Sequence, residues 1–306
     1  MLLPPCRLAV FDRTDNALLH LNTASGAVLF RRPLPHTYRP LALVSSEKGV
    51  FFFANGKTAG SVYTLRKGTW ARQPGTLPTM TAVCPVQNEN ACYLASARHT
   101  LYRLDLDSGK LSSLGSSPHI CRALVHGTYL ASVWETAGGT VCALHKKDGT
   151  ILSEHRLDGT VPSATITGTT LLCPFTNGKQ CGEGLHLIAT DAPSPSVTTI
   201  SLKSPQMRGI TADPYSVLAL GDTLCLVSEA TGTVTKIDRH TGDITGSYSL
   251  GRSISHLYLL PDERFAIATS NMFADLSLVD LVNEKLLSIS ICAHELFHQI
   301  AILPPT

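Results

Sequence analysis

The chain has 306 residues, of which 43% are hydrophobic and 16% are charged. This balance supplies enough apolar side chains for a large core and too few charges for an intrinsically disordered chain. The formal net charge of +2 comes without a basic block, which argues against a nucleic-acid partner, and the sequence contains no apolar run long enough to span a membrane.

The cysteines and the N-terminal sequence both favour a cytosolic protein. The nine cysteines are widely spaced, odd in number and placed inside apolar runs, which is typical of reduced, buried thiols. The sequence MLLPPCRLAVFDR has no cationic region before its short apolar stretch and does not resemble a secretory signal. We therefore predict a cytoplasmic protein, with a processed exported chain as the alternative.

From the N-terminus onward, the sequence predicts short strands joined by polar turns. The first two strands are RLAVFDR and ALLHLN. A turn between two strands then recurs at steps of 42, 41, 40, 44, 49 and 42 residues. Its clearest copy lies at 232–250, with predicted strands Val234–Asp238 and Asp243–Leu250. The residues in the turn position are Gly26, Gly68, Gly109, Gly149, Pro193, Gly242 and Glu284.

A second pair of strands precedes each of these turns. The segments 122–134, 216–229 and 256–270 each consist of an apolar run, a short turn and another apolar run. Continuous apolarity indicates strands buried on both faces. A repeat of about 42 residues with four strands predicts an all-β, seven-bladed β-propeller of antiparallel blades, formed by residues 1–306 as a single domain.

The two ends of the sequence supply the last blade. LLSISIC and HQIAILPP follow the seventh turn, and together with the N-terminal strands they predict a blade that closes the ring. The fifth repeat, at about 163–215, departs most from the pattern. We expect a long loop there over FTNGKQCGEG, at 175–184, followed by a turn rich in proline and serine.

Two segments carry a family resemblance. HLYLLPDERFAIATS at 256–270, with SLVDL after it, and TVTKIDRHTGDI at 233–244 resemble the repeats of YVTN-type and quinoprotein-like seven-bladed β-propellers. The resemblance implies the fold for the whole chain and a ligand-binding face around the central channel. That superfamily includes lactonases, lyases, dehydrogenase subunits and binding scaffolds, so the resemblance does not decide the function.

Positions carried over from the resemblance define a predicted binding face. They are the first residues of the innermost strands and the loops between the second and third strands of each blade. Trp134 and Phe273, which we expect in exposed loops, either anchor a protein partner or pack over the channel mouth. The predicted face comprises Tyr38, Arg39, His119, Cys121, Trp134, Arg208, Tyr215 and Phe273.

Two motifs suggest chemistry. HELFH at 294–298 has the H-E-x-x-H spacing of a zinc protease, but it runs directly into a predicted strand and lacks a downstream ligand. A weaker alternative is a divalent-metal site formed by His256, Glu295 and His298. Cys121 beside His119 suggests a thiolate nucleophile, although a small residue entering a strand is the simpler interpretation.

These observations favour a non-catalytic scaffold that binds a protein or a small molecule, with neither nucleic acid nor membrane as a partner and without a cofactor. The alternative is a lactonase-like or lyase-like enzyme that acts on a small anionic substrate, with or without a divalent metal. In that enzyme Arg252, His256, Glu295 and His298 would bind or protonate the substrate.

Overall fold

The structure is a computed structural model that describes most of the chain. It leaves out residues 1–5, 24, 26, 36–37, 47–48, 181, 192–194, 203–212, 274–275, 288–295 and 304–306, and the side chains of 296–298. The remaining residues form 28 β-strands and no helix. Accordingly, the described part of the chain contains no helix that could cross a membrane.

The strands form seven four-stranded sheets, which we number as blades 1 to 7. Blade 1 contains β1 (Arg7–Asp12), β2 (Ala17–Asn22), β3 (Val28–Pro33) and β28 (Leu296–Leu303). Blade 2 contains β4 (Arg39–Ser46), β5 (Gly49–Asn55), β6 (Gly60–Arg66) and β7 (Thr69–Arg72). Blade 3 contains β8 (Met80–Pro85), β9 (Ala91–Ser96), β10 (Thr100–Asp105) and β11 (Leu111–Ser116).

The other four blades follow in chain order. Blade 4 contains β12 (Ile120–His126), β13 (Leu130–Thr136), β14 (Gly139–His145) and β15 (Ile151–Leu157). Blade 5 contains β16 (Thr165–Thr167), β17 (Thr170–Gly178), β18 (Gly182–Ala189) and β19 (Val197–Ser201). Blade 6 contains β20 (Pro214–Leu220), β21 (Thr223–Ser228), β22 (Thr233–Asp238) and β23 (Ile244–Ser249). Blade 7 contains β24 (His256–Leu259), β25 (Phe265–Thr269), β26 (Leu276–Asp280) and β27 (Lys285–Leu287).

This architecture is the predicted seven-bladed β-propeller. The blade that combines both ends of the sequence is also confirmed, because β28 pairs antiparallel with β1 over the register Arg7↔Leu303 to Val10↔Ile300. The clearest predicted repeat agrees with β22 and β23 to within one residue at each end.

Contacts divide the chain into two compact units. The first comprises residues 1–98, 103–112 and 258–306, and the second comprises residues 99–102 and 113–257. The first unit holds blades 1 and 2 and most of blade 7, the second holds blades 4 to 6, and blade 3 contributes residues to both.

In the first unit, the two faces of β1 enter different core clusters. Leu8 and Val10 pack with side chains of blade 7, whereas Ala9 and Phe11 pack with side chains of blade 2. Phe11 stacks on Phe52 with ring centroids 5.4 Å apart. Because successive side chains of a strand point to opposite faces, a strand covered on both sides must be apolar at every position.

The second unit repeats this arrangement. Leu144 of β14 and Leu171 of β17 belong to a core cluster that joins blades 4 and 5. Leu172 of β17 and Leu224 of β21 belong to the cluster that joins blades 5 and 6. The outermost strands β15 and β19 are mostly exposed or half-buried, so apolar content falls from the covered strands to the edge.

A recurring aspartate shapes the turn between the third and fourth strands. The Oδ1 atom of Asp238 accepts hydrogen bonds from the backbone N–H groups of His240 and Thr241, each at 2.8 Å. Asp105 and Asp280 hold the equivalent turns of blades 3 and 7 in the same way. Glu284 has the positive φ of 56° that glycine supplies in other repeats, which supports its alignment in the turn position.

The expected long loop of the fifth repeat is wrong. Strand β17 continues to Gly178 and β18 begins at Gly182, so most of the segment 175–184 is strand. The pairing register of β17 and β18 shifts between Phe175 and Gly178. Because of this irregularity the segment lacks the regular pattern of a strand, and its sequence resembles a loop. The carboxylate of Asp158 accepts the N–H groups of Lys179 and Gln180, each at 2.9 Å, and so fixes the turn.

Two glycines of blade 6 provide a matched test of close packing. Gly221 and Gly232 have φ values of 54° and 61°, so alanine is strained at both positions. A Cβ at Gly221 meets nothing within 4 Å, whereas one at Gly232 would lie 1.7 Å from the carbonyl oxygen of Arg252. We expect Gly221→Ala to cost about 1 kcal/mol and Gly232→Ala about 3 kcal/mol of unfolding free energy, measured by urea denaturation. Equal losses would contradict the close approach.

Candidate functional site

A cleft of about 570 Å³ lies between blades 3 and 4, and all of its lining residues belong to the second unit. Blade 3 contributes Leu101 of β10 and the residues 114–117. Blade 4 contributes residues of β13, β14 and β15 and the glycine-containing turn between β13 and β14. Clefts of this volume are typical of ligand sites in proteins.

The blade 4 wall of the cleft is built from side chains on one face of the sheet. On β14 the lining residues include Val141, Ala143 and His145, which alternate along the strand, and Gly139 and Thr140 at its start. On β15 they include Glu154, which pairs with Ala143, and Arg156, which pairs with Val141. Small side chains in the middle of this wall leave the space that forms the cleft.

The blade 3 wall is built from backbone as well as side chains. Four consecutive residues, 114–117, line the cleft. Backbone groups of successive residues in a strand point to alternate sides. The N–H of Ser117 donates to the carbonyl of His99 at 2.9 Å. Leu114 lies three residues before Ser117, so its N–H and C=O groups point to the opposite side of the strand. A Cβ on Gly149 would lie 2.2 Å from the carbonyl oxygen of Leu114, which shows that this carbonyl points towards blade 4. Among the strands that the structure describes, β11 is the terminal strand of its sheet, and Gly149 of blade 4 packs against its Leu114 carbonyl.

Behind the cleft lies a buried hydrogen-bond chain. The indole Nε1 of Trp134 donates to Ser132 Oγ at 2.7 Å, and Ser132 Oγ lies 2.6 Å from His145 Nε2. His145 Nδ1 lies 3.3 Å from the carbonyl oxygen of Gly149. Because a carbonyl only accepts, Nδ1 carries the hydrogen, and the neutral ring therefore accepts the Ser132 hydroxyl proton at Nε2.

This chain holds His145 in its neutral form. Burial lowers the pKa of His145 below its ordinary value of 6.5, and the Gly149 carbonyl and the Glu154 carboxylate oppose that shift only in part. Ser132 is fully buried, and its hydroxyl both accepts and donates within the chain. The Ser–His pair therefore orients Trp134 and His145 in the wall and does not present a nucleophile to the cleft.

Two of the predicted binding-face residues line this cleft. His119 is half-buried at its rim, and Trp134 lies in its wall. The expected exposed-loop position of Trp134 is wrong, because the residue belongs to β13 and is buried. Its indole N–H donates to Ser132, so the ring can be buried without leaving this donor unpaired.

Cys121 pairs across the sheet with Trp134 but does not line the cleft. Its thiol is buried, and burial raises its pKa to about 12. A thiol with this pKa is almost entirely protonated near neutral pH, so the thiolate interpretation of Cys121 is wrong.

Other predicted residues of the second unit form a separate group. The Tyr215 and His256 rings meet edge to face with centroids 5.1 Å apart. Ser163 donates to the backbone carbonyl of Tyr215, and Ser255 donates to the carboxylate of Glu229. Arg252 is half-buried in the segment before β24. Arg208 lies outside the described residues.

The remaining predicted residues belong to the first unit. Tyr38 lies 3.0 Å from Ser61 Oγ through its hydroxyl, and Arg39 begins β4 as an exposed residue. Glu295 lies outside the described residues, and His298 belongs to β28 without a described side chain. Because β28 begins at Leu296, the end of the HELFH motif is strand and not the helix of a zinc protease. Among the described residues, no group of three or more His, Cys, Asp and Glu side chains is placed to hold a metal ion.

Phe273 is exposed, as predicted, and lies beside Met272 in the turn between β25 and β26. The exposed fractions of these two residues are 47% and 69%. Ser270 Oγ accepts the backbone N–H groups of both residues, at 3.1 and 3.2 Å. The serine thus holds the turn in a shape that presents two large apolar side chains to solvent.

Comparison with solved structures identifies the same fold. A functionally unknown protein from Desulfotomaculum acetoxidans matches with a TM-score of 0.77 and 14% identity, covering 98% of this chain and 99% of the other. Kuenenia stuttgartiensis hydrazine synthase matches with a TM-score of 0.70 and 13% identity, covering 87% of this chain and 89% of the other.

The WD40 domain of Neurospora crassa Pan2 matches with a TM-score of 0.61 and 12% identity, covering 88% of this chain and 86% of the other. The chain is a β-propeller. At these identities the likeness concerns the fold alone and not the function. No protein-family model matches the sequence, and no curated protein matches it.

Sequence reasoning missed Ser132, His145, Glu154 and Arg156. The signal for Ser132 was a hydroxyl two residues before a tryptophan in an otherwise apolar strand, which puts both side chains on one face. His145 ends the next strand, but only the register Leu130↔His145 reveals that its ring reaches Ser132. In the sequence, Glu154 and Arg156 cannot be distinguished from ordinary charged residues of an outer strand. Only the packing of blade 3 against blade 4 places them in the cleft.

The shifted pKa of His145 predicts a pH-dependent stability. The unfolded chain takes up a proton near pH 6.5 while folded His145 resists it, so the free energy of unfolding falls as the pH drops below about 6.5. Burial also lowers the pKa of His20, His155 and His186, which contribute in the same direction. We expect His145→Gln to be less stable at neutral pH and to lose less stability between about pH 7.5 and about pH 5.5 in urea denaturation. A variant with the wild-type pH dependence would contradict this assignment.

Proposed function

We propose that this chain is a non-catalytic binding propeller that holds its ligand in the cleft between blades 3 and 4. The observation that carries the proposal is the cleft itself. It combines ligand-sized volume with an aromatic residue and a neutral histidine in fixed positions and with charged side chains at the mouth. A few fixed polar groups in a partly apolar cleft are what recognition requires.

The hydrogen-bonding state of the wall favours binding over catalysis. A catalytic serine needs a hydroxyl that reaches the substrate and a base that takes up its proton. Ser132 is enclosed, and its partner His145 has a lowered pKa and a second hydrogen bond to Gly149. Cys121, the other nucleophile close to the cleft, is buried and protonated. These groups give the cleft a rigid wall without a reactive centre.

The turn that carries Met272 and Phe273 supports a protein as the partner. Isolated exposed apolar residues are common, but a methionine and an aromatic residue held side by side by Ser270 form the kind of anchor that dominates protein interfaces. We propose that this turn contacts the partner as a second, independent surface in the first unit.

A plug in the cleft tests the proposed site. A Cβ at Gly138 meets nothing within 4 Å, and its φ lies outside the left-handed region, so Gly138→Phe fills one end of the cleft without strain. We expect ligands from a mixed screen of small organic molecules and short peptides, followed by ligand-observed NMR, to bind the wild type and to lose at least tenfold in affinity with Gly138→Phe.

Gly246→Phe is the matched control for the plug. Gly246 also has open space around a Cβ and lies in β23, away from the cleft. This variant should keep wild-type affinity. Ligands that bind equally well to the plugged variant, or a wild type that binds none, would refute the cleft as the binding site.

The exposed turn has its own test. We expect the double variant Met272→Ala/Phe273→Ala to weaken the affinity for a co-purifying partner by about 30-fold, because the loss of both anchor side chains together costs about 2 kcal/mol. Val282→Ala is the control, since Val282 is 70% exposed but lies at the opposite end of β26. Equal recovery with both variants would remove the turn from the interface.

A further inference from the structure

We infer that Asn177 is a site of spontaneous deamidation and that its product loosens the joint between blades 4 and 5. The backbone nitrogen of Gly178 attacks the side chain of Asn177, and water is the only co-reactant. This modification site lies in the second unit and is independent of the ligand proposed for the cleft.

The chemistry begins with a dipeptide. The sequence contains two Asn-Gly pairs, Asn55–Gly56 and Asn177–Gly178. Asparagine is a labile residue, and it is most labile before glycine, because a residue without a Cβ leaves its backbone nitrogen open to the amide carbon. The two pairs are therefore similarly reactive in an unfolded chain, and the fold decides which of them reacts.

The fold protects Asn55 at both reacting groups. Its side chain is half-buried, donates to the carbonyl oxygen of Met80 at 2.8 Å and accepts the N–H of Met80 at 2.9 Å. The nitrogen that would attack, that of Gly56, donates to the carbonyl oxygen of Ala59 at 2.7 Å. These hydrogen bonds must break before Cγ of Asn55 can turn towards the Gly56 nitrogen.

The fold leaves the side chain of Asn177 without such protection. The residue is exposed, and among the described residues its amide makes one hydrogen bond, a long one of 3.4 Å to Thr176 Oγ1. Asn177 lies where the register of β17 and β18 shifts, so no residue of β18 pairs with it in the described ladder. Its amide can therefore rotate towards Gly178 at little cost.

The reaction balances with the groups of this segment and water. The Gly178 nitrogen forms a bond to Cγ of Asn177, the bond from Cγ to Nδ2 breaks, and ammonia leaves with the proton of the Gly178 N–H. Water then opens the cyclic imide at one of its two carbonyl groups. The product is an aspartate or an isoaspartate, in which the main chain runs through the former side chain, and either product adds a negative charge.

The segment that follows Asn177 holds the joint between blades 4 and 5. Asp158 lies between β15 and β16, and its carboxylate accepts the N–H groups of Lys179 and Gln180. A Cβ at Gly178 would lie 2.8 Å from Asp158 Oδ2, so this carboxylate sits against the chain directly after Asn177. A second carboxylate at position 177 repels that of Asp158, and the longer main chain of isoaspartate displaces its two donors.

The first experiment incubates the full chain at mildly alkaline pH and follows each asparagine by peptide mass spectrometry. Asn55 is one control, and Asn88 is the other, since it is exposed and has a φ of 59°, close to the 55° of Asn177, but precedes Glu89. We expect Asn177 to convert at least about tenfold faster than either, because Asn55 must first break its hydrogen bonds and Asn88 lacks a following glycine.

The same incubation in guanidinium chloride removes the difference that the fold makes. We expect Asn55 then to convert within about twofold of Asn177, because unfolding releases both amides, whereas Asn88 stays slow. Folded protein in which Asn55 converts as fast as Asn177, or in which Asn177 is no faster than Asn88, would overturn the modification site.

The second experiment tests the joint between the blades. Asn177→Gly removes the reactive amide, and glycine adopts the left-handed φ of this position without strain. We expect conversion of Asn177 during incubation to lower the Tm of the wild type by about 2 °C and the same incubation to leave the Tm of Asn177→Gly unchanged. Equal losses in the two proteins would overturn the effect on the joint.

The contribution of charge has its own variant. Asn177→Asp adds the carboxylate without lengthening the main chain, and we expect it to lower the Tm by about 2 °C at low salt and by less at high salt, because salt screens the repulsion from Asp158. Asn88→Asp adds the same charge to an exposed turn of blade 3 and should leave the Tm unchanged. Equal shifts in the two variants would overturn the repulsion from Asp158.

Discussion

In most blades the middle strands are buried on both faces, and the rest of the structure depends on this burial. In β1 the alternate residues Leu8 and Ala9 enter two different core clusters, and β17 divides Leu171 and Leu172 in the same way. A single blade of about 40 residues would expose both apolar faces to water. The apolar burial within one isolated sheet does not offset the conformational entropy lost when its backbone is ordered. Each blade is therefore stable only against its neighbours.

The blade 4 face that lines the cleft is also largely buried, but its side chains differ from those of the opposite face. Between blades 4 and 5 the inward-facing positions are filled by Leu144, Leu171 and Phe175. On the other face of blade 4 the corresponding wall carries Val141, Ala143 and a polar chain through Ser132 and His145. The hydrogen bonds of that chain satisfy the polar groups that are buried on this face, where the opposite face packs apolar side chains.

The sequence predicted the repeat because each blade reuses the same local solutions. The aspartates at positions 105, 238 and 280, and the residues with positive φ after them, are determined by contacts within a single turn. Such local features appear as spacing in the sequence. The fifth blade was predicted less well, since the bulge near Phe175 disguises a strand as a loop.

The site was predicted only in part, and the reason is physical. His119 and Trp134 were identified from their place in the repeat, which the fold fixes. The cleft itself forms where residues 114–117 lie opposite β14 and β15. The periodic pattern of the sequence does not predict which side chains meet there. The burial of Trp134 likewise depends on a serine that only strand register brings within reach of its indole.

The pairing of β28 with β1 has a consequence for how the chain is made. Val10 can pair with Ile300 only after the ribosome has added 290 further residues. At typical elongation rates of about 5–20 residues per second, that delay is roughly 15–60 s. While the intervening blades are translated, one edge of β1 has no partner strand and can pair with the wrong strand. Aggregation of the nascent chain through this edge is therefore the failure to expect during synthesis.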